Sequence, residues 1–283
     1  MKIVFAMKRH MYDSYRDFCG LVALGRFDTC FIDEMDLTSD TFYIVTPIDG
    51  EIQGHVNHFR TDSRSKRAIV AWWNLERPDA EGSRPFKESL DDSLGYVDVA
   101  WTGDRHYAAM DPRMQHVVLG GDEGLCPNPG RRDVAHDYTH QSYVWGRRDK
   151  IHGPLRALGL REGPNAWFDA RDAVLKSSRV MVNVHQTDAL IGEPIRFAMT
   201  AAYRLAMISE TMVDPFPLVP GHDYIEVPFG GVIDAVRKST SMSPDELEWL
   251  GNNLFERLCR EWPFRRGVEE GVAVTLQRLG RDS

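Results

Sequence analysis

SSRVMVNVHQTDALIGEPIRFAMTAAYRLAMISE, residues 177–210, is the stretch on which the fold turns. Its first apolar run, 180–184, has valine at alternate places, and its length and β-branched content suit a buried strand. Residues 194–203 place apolar side chains at helical spacing, and Pro194 stands in the first turn, where its missing N–H leaves no hydrogen bond unmade. A second compact apolar run, 205–209, follows at once. Strand, helix and strand within about 30 residues make a βαβ unit, and such units build parallel sheets.

Reading outward, the alternation extends in both directions. Towards the start, strands are predicted at 3–7, 29–32, 42–45, 68–72, 97–101 and 117–119. A helix is predicted over 12–24, where Tyr15, Phe18, Cys19 and Val22 fall on one face and Gly25 supplies a stop. Around and beyond the quoted segment, strands are predicted at 140–144 and 224–227 and helices at 150–158 and 265–279. A further helix opens at Ser243, with Glu246 three residues on as its capping-box partner. CPNPGRRD, 126–133, is the one Pro/Gly-rich break between these halves and is the predicted linker. The expected architecture is α/β, with two Rossmann-like domains facing across a cleft. An N-terminal acceptor-side domain covers 1–125 and a nucleotide-sugar domain 134–262, and a C-terminal helix in 263–283 packs back on the first domain. A length of 283 residues exceeds what one core usually holds, which favours two.

Composition narrows the class. Hydrophobic residues at 42% and charged residues at 27% are those of a globular chain with a sizeable core. No apolar run approaches the roughly 20 residues of a membrane span. MKIVFAMKRH reads as a first strand, not a secretory signal, because charge follows after a few apolar residues. Cys19, Cys30, Cys126 and Cys259 show neither CxxC nor zinc-ligand spacing, so they are read as reduced thiols of a cytoplasmic protein. Most of the net charge of −8 lies in the first half, which opposes broad nucleic-acid binding. The short basic segment Arg60, Arg64, Lys66 and Arg67 is the local exception.

In open α/β sheets, ligands sit beyond the carboxyl ends of the strands. Several polar residues fall at such places in 141–236: QSYVWGRRDKI, SSRVMVNVHQ, GEPIRFAMTAAYRLAMISE and GHDYIEVPF, in that order. This order resembles the donor-binding domain of GT-B glycosyltransferases of the group 1 type, including the spore-maturation-like branch. The resemblance covers about a third of the chain. It implies transfer of a sugar from a nucleotide diphosphate-sugar donor, a co-substrate and not a resident cofactor, to an unidentified acceptor. A diphosphate needs fixed positive charge, backbone N–H donors or a metal. Asp-x-Asp occurs nowhere in the chain, so a metal-independent mechanism with no metal ligands is expected. Arg147 and Arg148, after Gly146, and Arg196, in the first turn of a helix whose N-terminus attracts anions, are the phosphate candidates. Asn183, His185 and Gln186 leave the end of a strand. By resemblance Glu193 contacts donor sugar or nucleotide and Glu210 the ribose hydroxyls. The family's spaced pair of glutamates is not reproduced, since Ala201 stands where the second would fall.

Each candidate has a structural alternative. Arg147 and Arg148 could cap carbonyls or bridge to Asp149. Arg196 could pair with Glu193 at helical reach, and His185 could be a satisfied core histidine. The segment AWWNLERPD, 71–79, reads as core ending in charge, or as acceptor-side lining through Asn74, Glu76 and Arg77. For a general base near the acceptor hydroxyl, His10 ranks first, then Asp104, with Glu76 a third candidate. Two other functions stay open: a nucleotide-binding module without transfer, and a phage-type glycosyltransferase acting on modified bases in DNA, which only the basic segment supports.

Overall fold

The computed structural model describes residues 1–7, 16–46, 67–74, 91, 95, 97–127, 129–130, 132–144, 146–166, 168–185 and 193–281. His10, Glu76, Arg77, Gln186 and the basic residues Arg60, Arg64 and Lys66 lie outside the described residues, as do residues 12–15 of the first predicted helix. The chain divides into two compact units, 1–119 with 264–283, and 120–263.

The first unit is built on six parallel strands: β1 (Lys2–Met7), β2 (Asp28–Phe31), β3 (Thr41–Val45), β4 (Ile69–Asn74), β5 (Val99–Thr102) and β6 (Met114–His116). Their order is β2-β1-β3-β4-β5-β6, so strand order reverses at β1. Successive side chains of a strand point to opposite faces, and both faces here are buried. Val4, Ala6, Tyr43, Val45, Val70 and Trp72 form one apolar layer. Phe5 and Trp73 face the other way and meet Phe18 of α1 (Arg16–Leu24) and Phe264 of the last helix, α8 (Phe264–Arg278), and Trp101 packs edge-on against Trp73. Phe264 stacks on Trp73 with ring centroids 6.0 Å apart. Trp101 Nε1 donates to Thr275 Oγ1 at 3.0 Å, and Gln115 Nε2 donates to the Gly271 carbonyl at 2.8 Å. Gly267 is required for this approach: a Cβ there would lie 2.1 Å from the Val118 carbonyl oxygen.

The closing strand expected at 117–119 is instead Met114–His116. Its polar sequence hid it, because Gln115 turns inward to α8 where an apolar side chain is the usual occupant. Helix α2 (Arg105–Met110) was not anticipated and is capped by Asp104.

The second unit holds β7 (Val180–Asn183), β8 (Ala206–Glu210) and β9 (Ile225–Val227), parallel and in sequence order. These follow the strands read at 180–184, 205–209 and 224–227. The strand expected at 140–144 does not form. Residues 136–139 run beside β7 through single parallel bridges, His136 to Ser178 and Thr139 to Met181. The chain then leaves the sheet, because Gln141 takes a left-handed φ of 46° that no strand accommodates.

Helices α3 (Asp149–Ala157), α4 (Phe168–Lys176), α5 (Pro194–Ala202), α6 (Val232–Ser239) and α7 (Pro244–Phe255) surround this sheet, with a π-helical turn over Glu256–Glu261. One core layer joins Val180, Val182, Ala206 and Ile208 to Ile151, Leu155, Val232 and Val236. The other joins Met181 and Met207 to Phe197, Met199, Leu254 and Leu258. Period-2 strands between period-3.6 helices are thus read directly in the packing. Ser243 caps α7 in the expected box, accepting from the Glu246 N–H at 3.2 Å. Helices α4 and α6 were not anticipated. Among the described residues, no helix is long and apolar enough to cross a membrane, and the four cysteines form no disulfide.

Candidate functional site

Strands β7 and β8 end side by side at Asn183 and Glu210, and the polar residues that follow them are fully enclosed. Asn183, His185 and Glu210 are each at most 1% exposed. Gly146, at φ 59°, makes the left-handed turn that leads into α3. That turn delivers Arg147 and Arg148 to the carboxyl ends of the strands. Pro194 opens α5 with Glu193 at its N-cap and Arg196 in its first turn.

The side chains form two groups, Arg147 with Glu210 and Arg148 with Glu193, Arg196, Asn183 and Ser209, joined where Ser209 Oγ donates to the Glu210 carbonyl at 2.9 Å. Arg147 grips Glu210 through two parallel N–H···O contacts, the fork geometry that makes Arg–carboxylate pairs specific. Its guanidinium lies 3.8 Å from the centroid of the Phe229 ring, a cation–π contact. Glu210 also accepts the His185 backbone N–H at 3.2 Å. Arg148 donates from Nε to the Val184 carbonyl at 2.8 Å and pairs with Glu193. Arg196 pairs with the other oxygen of Glu193 and donates to Asn183 Oδ1. Asn183 Nδ2 in turn donates to Ser209 Oγ at 3.0 Å. The His185 ring reaches the Thr211 carbonyl at 3.2 Å. Burial alone would raise the Glu193 carboxyl, but Arg196 and Arg148 outweigh it and hold the group below its ordinary value.

Arg147, Arg148, Asn183, His185, Glu193, Arg196 and Glu210 therefore converge in one place. The alternative in which Arg196 pairs with Glu193 is also realised, and so is carbonyl capping by Arg148. A bridge to Asp149 is not: that carboxylate faces Arg156 at 3.7 Å. Phe229 and Ser209 belong to the network without having been singled out. The signal for Phe229 was its place just after β9, as Glu210 ends β8. In the first unit, Asp104 is 8% exposed and its Oδ1 accepts the His106 and Tyr107 N–H groups at 2.8 and 3.1 Å. That engagement is a helix cap. Asn74 ends β4, and Arg67 pairs with Asp40 at 2.9 Å on the surface.

A second polar cluster, not singled out in the sequence, lies in the same unit. His140 Nε2 and Glu162 Oε1 are 2.8 Å apart, and Arg156 donates to Glu162 Oε2 at 3.0 Å. Burial and the neighbouring His140 push His152 down to about 3. Glu162, which burial would raise, is drawn to about 2 chiefly by its hydrogen bond from His140.

Three guanidinia and two carboxylates therefore meet at the carboxyl edge of a parallel sheet, beside a helix N-terminus, with one positive charge in excess. All three arginines are paired: Arg147 with Glu210, and Arg148 and Arg196 with the two oxygens of Glu193.

No family profile matches the chain, and no curated protein does. Solved structures do. Anabaena Alr3699/HepE in complex with UDP and glucose aligns over 98% of this chain and 100% of its own, with TM-score 0.64 and 9% identity. An alpha,alpha-trehalose-phosphate synthase (UDP-forming) from Burkholderia vietnamiensis aligns over 98% and 100%, with TM-score 0.60 and 8% identity. An alpha-glucosyltransferase in complex with UDP and a 13-mer DNA aligns over 96% and 100%, with TM-score 0.58 and 8% identity. These are GT-B glycosyltransferases, and the chain has their fold.

Proposed function

We propose that this protein is a metal-independent glycosyltransferase that takes a nucleotide diphosphate-sugar as donor. The observation that carries the reading is the convergence of Arg147, Arg148 and Arg196 with the α5 N-terminus at the carboxyl edge of the second unit's sheet. Charge grows on the departing diphosphate as the glycosidic bond breaks, and fixed guanidinia in a water-poor site stabilise it without reorganising. Arg147 and Arg148 hold the phosphates from the Gly146 turn and Arg196 from the helix end. Glu193, Asn183, His185 and Gln186 read sugar and nucleotide through hydrogen bonds, and Glu210 the ribose hydroxyls. His10, Asp104 and Glu76 are the candidates for the acceptor-side base. The likeness of fold to proteins solved with UDP or UDP-glucose supports the donor class. The narrower kinship with the spore-maturation-like branch rests on the order of motifs in 141–236, and a cytoplasmic location on the four cysteines that form no disulfide.

The test is calorimetric titration with UDP-, GDP-, ADP- and TDP-sugars, followed by assay of released sugar. Binding with turnover supports transfer. Binding without sugar release above background makes the chain a nucleotide-binding module, and no binding at millimolar concentration rejects the donor site altogether.

A second reading concerns the acceptor. The aligned alpha-glucosyltransferase was solved with DNA, and Arg60, Arg64, Lys66 and Arg67 form a basic segment. On this reading the acceptor is a DNA base. Retention of duplex DNA in low salt, lost in moderate salt, supports it. No retention at low salt removes it.

A further inference from the structure

His140, His152 and Glu162 converge in the second unit from three separate segments: the stretch leaving the sheet, helix α3 and the loop after it. Their ligand atoms all lie within 4.8 Å of one another. Glu162 Oε1 is 2.8 Å from His140 Nε2 and 4.0 Å from His152 Nδ1. The two histidines are 2% and 1% exposed. Among the described residues, His152 Nδ1 finds no hydrogen-bond partner although it is buried and directed at Glu162. An orphaned buried ring nitrogen is unfavourable and calls for an unseen occupant.

We infer that these three side chains bind one divalent transition-metal ion, with zinc the fitting species. Two imidazoles and one carboxylate are a zinc donor set. Metal–ligand bonds of about 2.0–2.2 Å place tetrahedral donor atoms roughly 3.3 Å apart, which the present spacings bracket. Binding through His140 Nε2 moves the ring proton to Nδ1, which then donates to Ser142 Oγ, 3.1 Å away, and gives up the Ser142 N–H that it accepts at 3.2 Å. Glu162 Oε1 binds the ion while Oε2 stays with Arg156, the kind of outer contact that orients a ligating carboxylate. Arg156 is 49% exposed, so water screens its charge from the ion. The enclosure of both histidines sets this site apart from the donor network, and three protein ligands leave a fourth position for a water. The site ties α3 to the chain on either side of it. Helix α3 starts from the Arg147–Arg148 turn, and the His152 N–H donates to the Arg148 carbonyl at 3.1 Å.

The test uses the full chain, stripped with chelator and titrated with Co²⁺ and then Zn²⁺. One equivalent of Co²⁺ should develop visible ligand-field absorption without sulfur-to-metal charge transfer, and one equivalent of Zn²⁺ should abolish it. Glu162→Gln and His152→Gln should each weaken binding by at least about 100-fold, and the half-exposed Arg156→Ala by about 10-fold. Wild-type protein that shows no saturable 1:1 absorption, or shows thiolate charge transfer, overturns the site whether or not the buried variants fold. Folded Glu162→Gln with undiminished affinity overturns it as well.

Discussion

Arg147 and Glu210 are unequal partners. Their side chains are 15% and 2% exposed, so truncation from the two sides should not cost the same. Arg147→Met keeps an apolar stem over Phe229 but leaves the Glu210 carboxylate buried against the His185 N–H without its guanidinium. Removing one partner of a buried pair costs about 3–5 kcal/mol. For a domain of this size that corresponds to a fall in Tm of about 10 °C. Glu210→Gln leaves the more exposed guanidinium, which retains Phe229 and partial solvent, and should cost about 1–2 kcal/mol. The double variant leaves no unpaired charge, so it should be more stable than Arg147→Met alone, with a coupling of about 2 kcal/mol. Urea and thermal unfolding of all four proteins measure this cycle. Additive losses, or an Arg147→Met variant as stable as wild type, would refute the reasoning that Glu210 is a buried carboxylate held by Arg147.

Three further outcomes follow from named contacts. Glu193 sits below its ordinary 4.5 in the folded chain, so its stabilising contribution is complete above that value and is lost as pH falls through the lower folded value. Thermal unfolding from pH 7 to pH 3 should therefore show a smaller acid loss in Glu193→Gln than in wild type; parallel profiles would contradict this. Gly267→Ala pushes a Cβ to 2.1 Å from the Val118 carbonyl and should cost about 1–3 kcal/mol by overpacking, read in urea unfolding. Asp104→Asn preserves a cap oxygen while removing a base, so transfer that survives in Asp104→Asn assigns the residue to the cap, and transfer lost without loss of stability assigns it to the acceptor side.

The strands that could be read were those with apolar residues on both faces. Residues 180–184 and 205–209 needed no partner to declare themselves, because both faces of β7 and β8 are buried. β6 was misplaced because Gln115 is satisfied by Gly271 and Thr275, far away in sequence. Residues 140–144 looked extended, but the left-handed backbone at Gln141 is a tertiary consequence. Helix α6 spans only eight residues, with Val232 and Val236 buried and Ile233 and Ala235 beside them, a signal too short to stand alone. At the site, position was legible and pairing was not. Arginines after a glycine turn and glutamates at strand ends mark the carboxyl edge, yet which carboxylate each arginine holds depends on how β7, β8 and α5 meet. The cluster of His140, His152 and Glu162 was invisible for the same reason, since its members share no motif.

The central claim is that the carboxyl edge of the second unit receives the diphosphate of a nucleotide-sugar. A crystal structure of the full chain with a bound nucleoside diphosphate tests it most directly. The account predicts phosphate oxygens on Arg147, Arg148 or Arg196 near the first turn of α5, with Glu210 turned to the ribose. A nucleotide bound elsewhere, with the Arg147–Glu210 and Arg148–Glu193 pairs intact and the edge unoccupied, would contradict it.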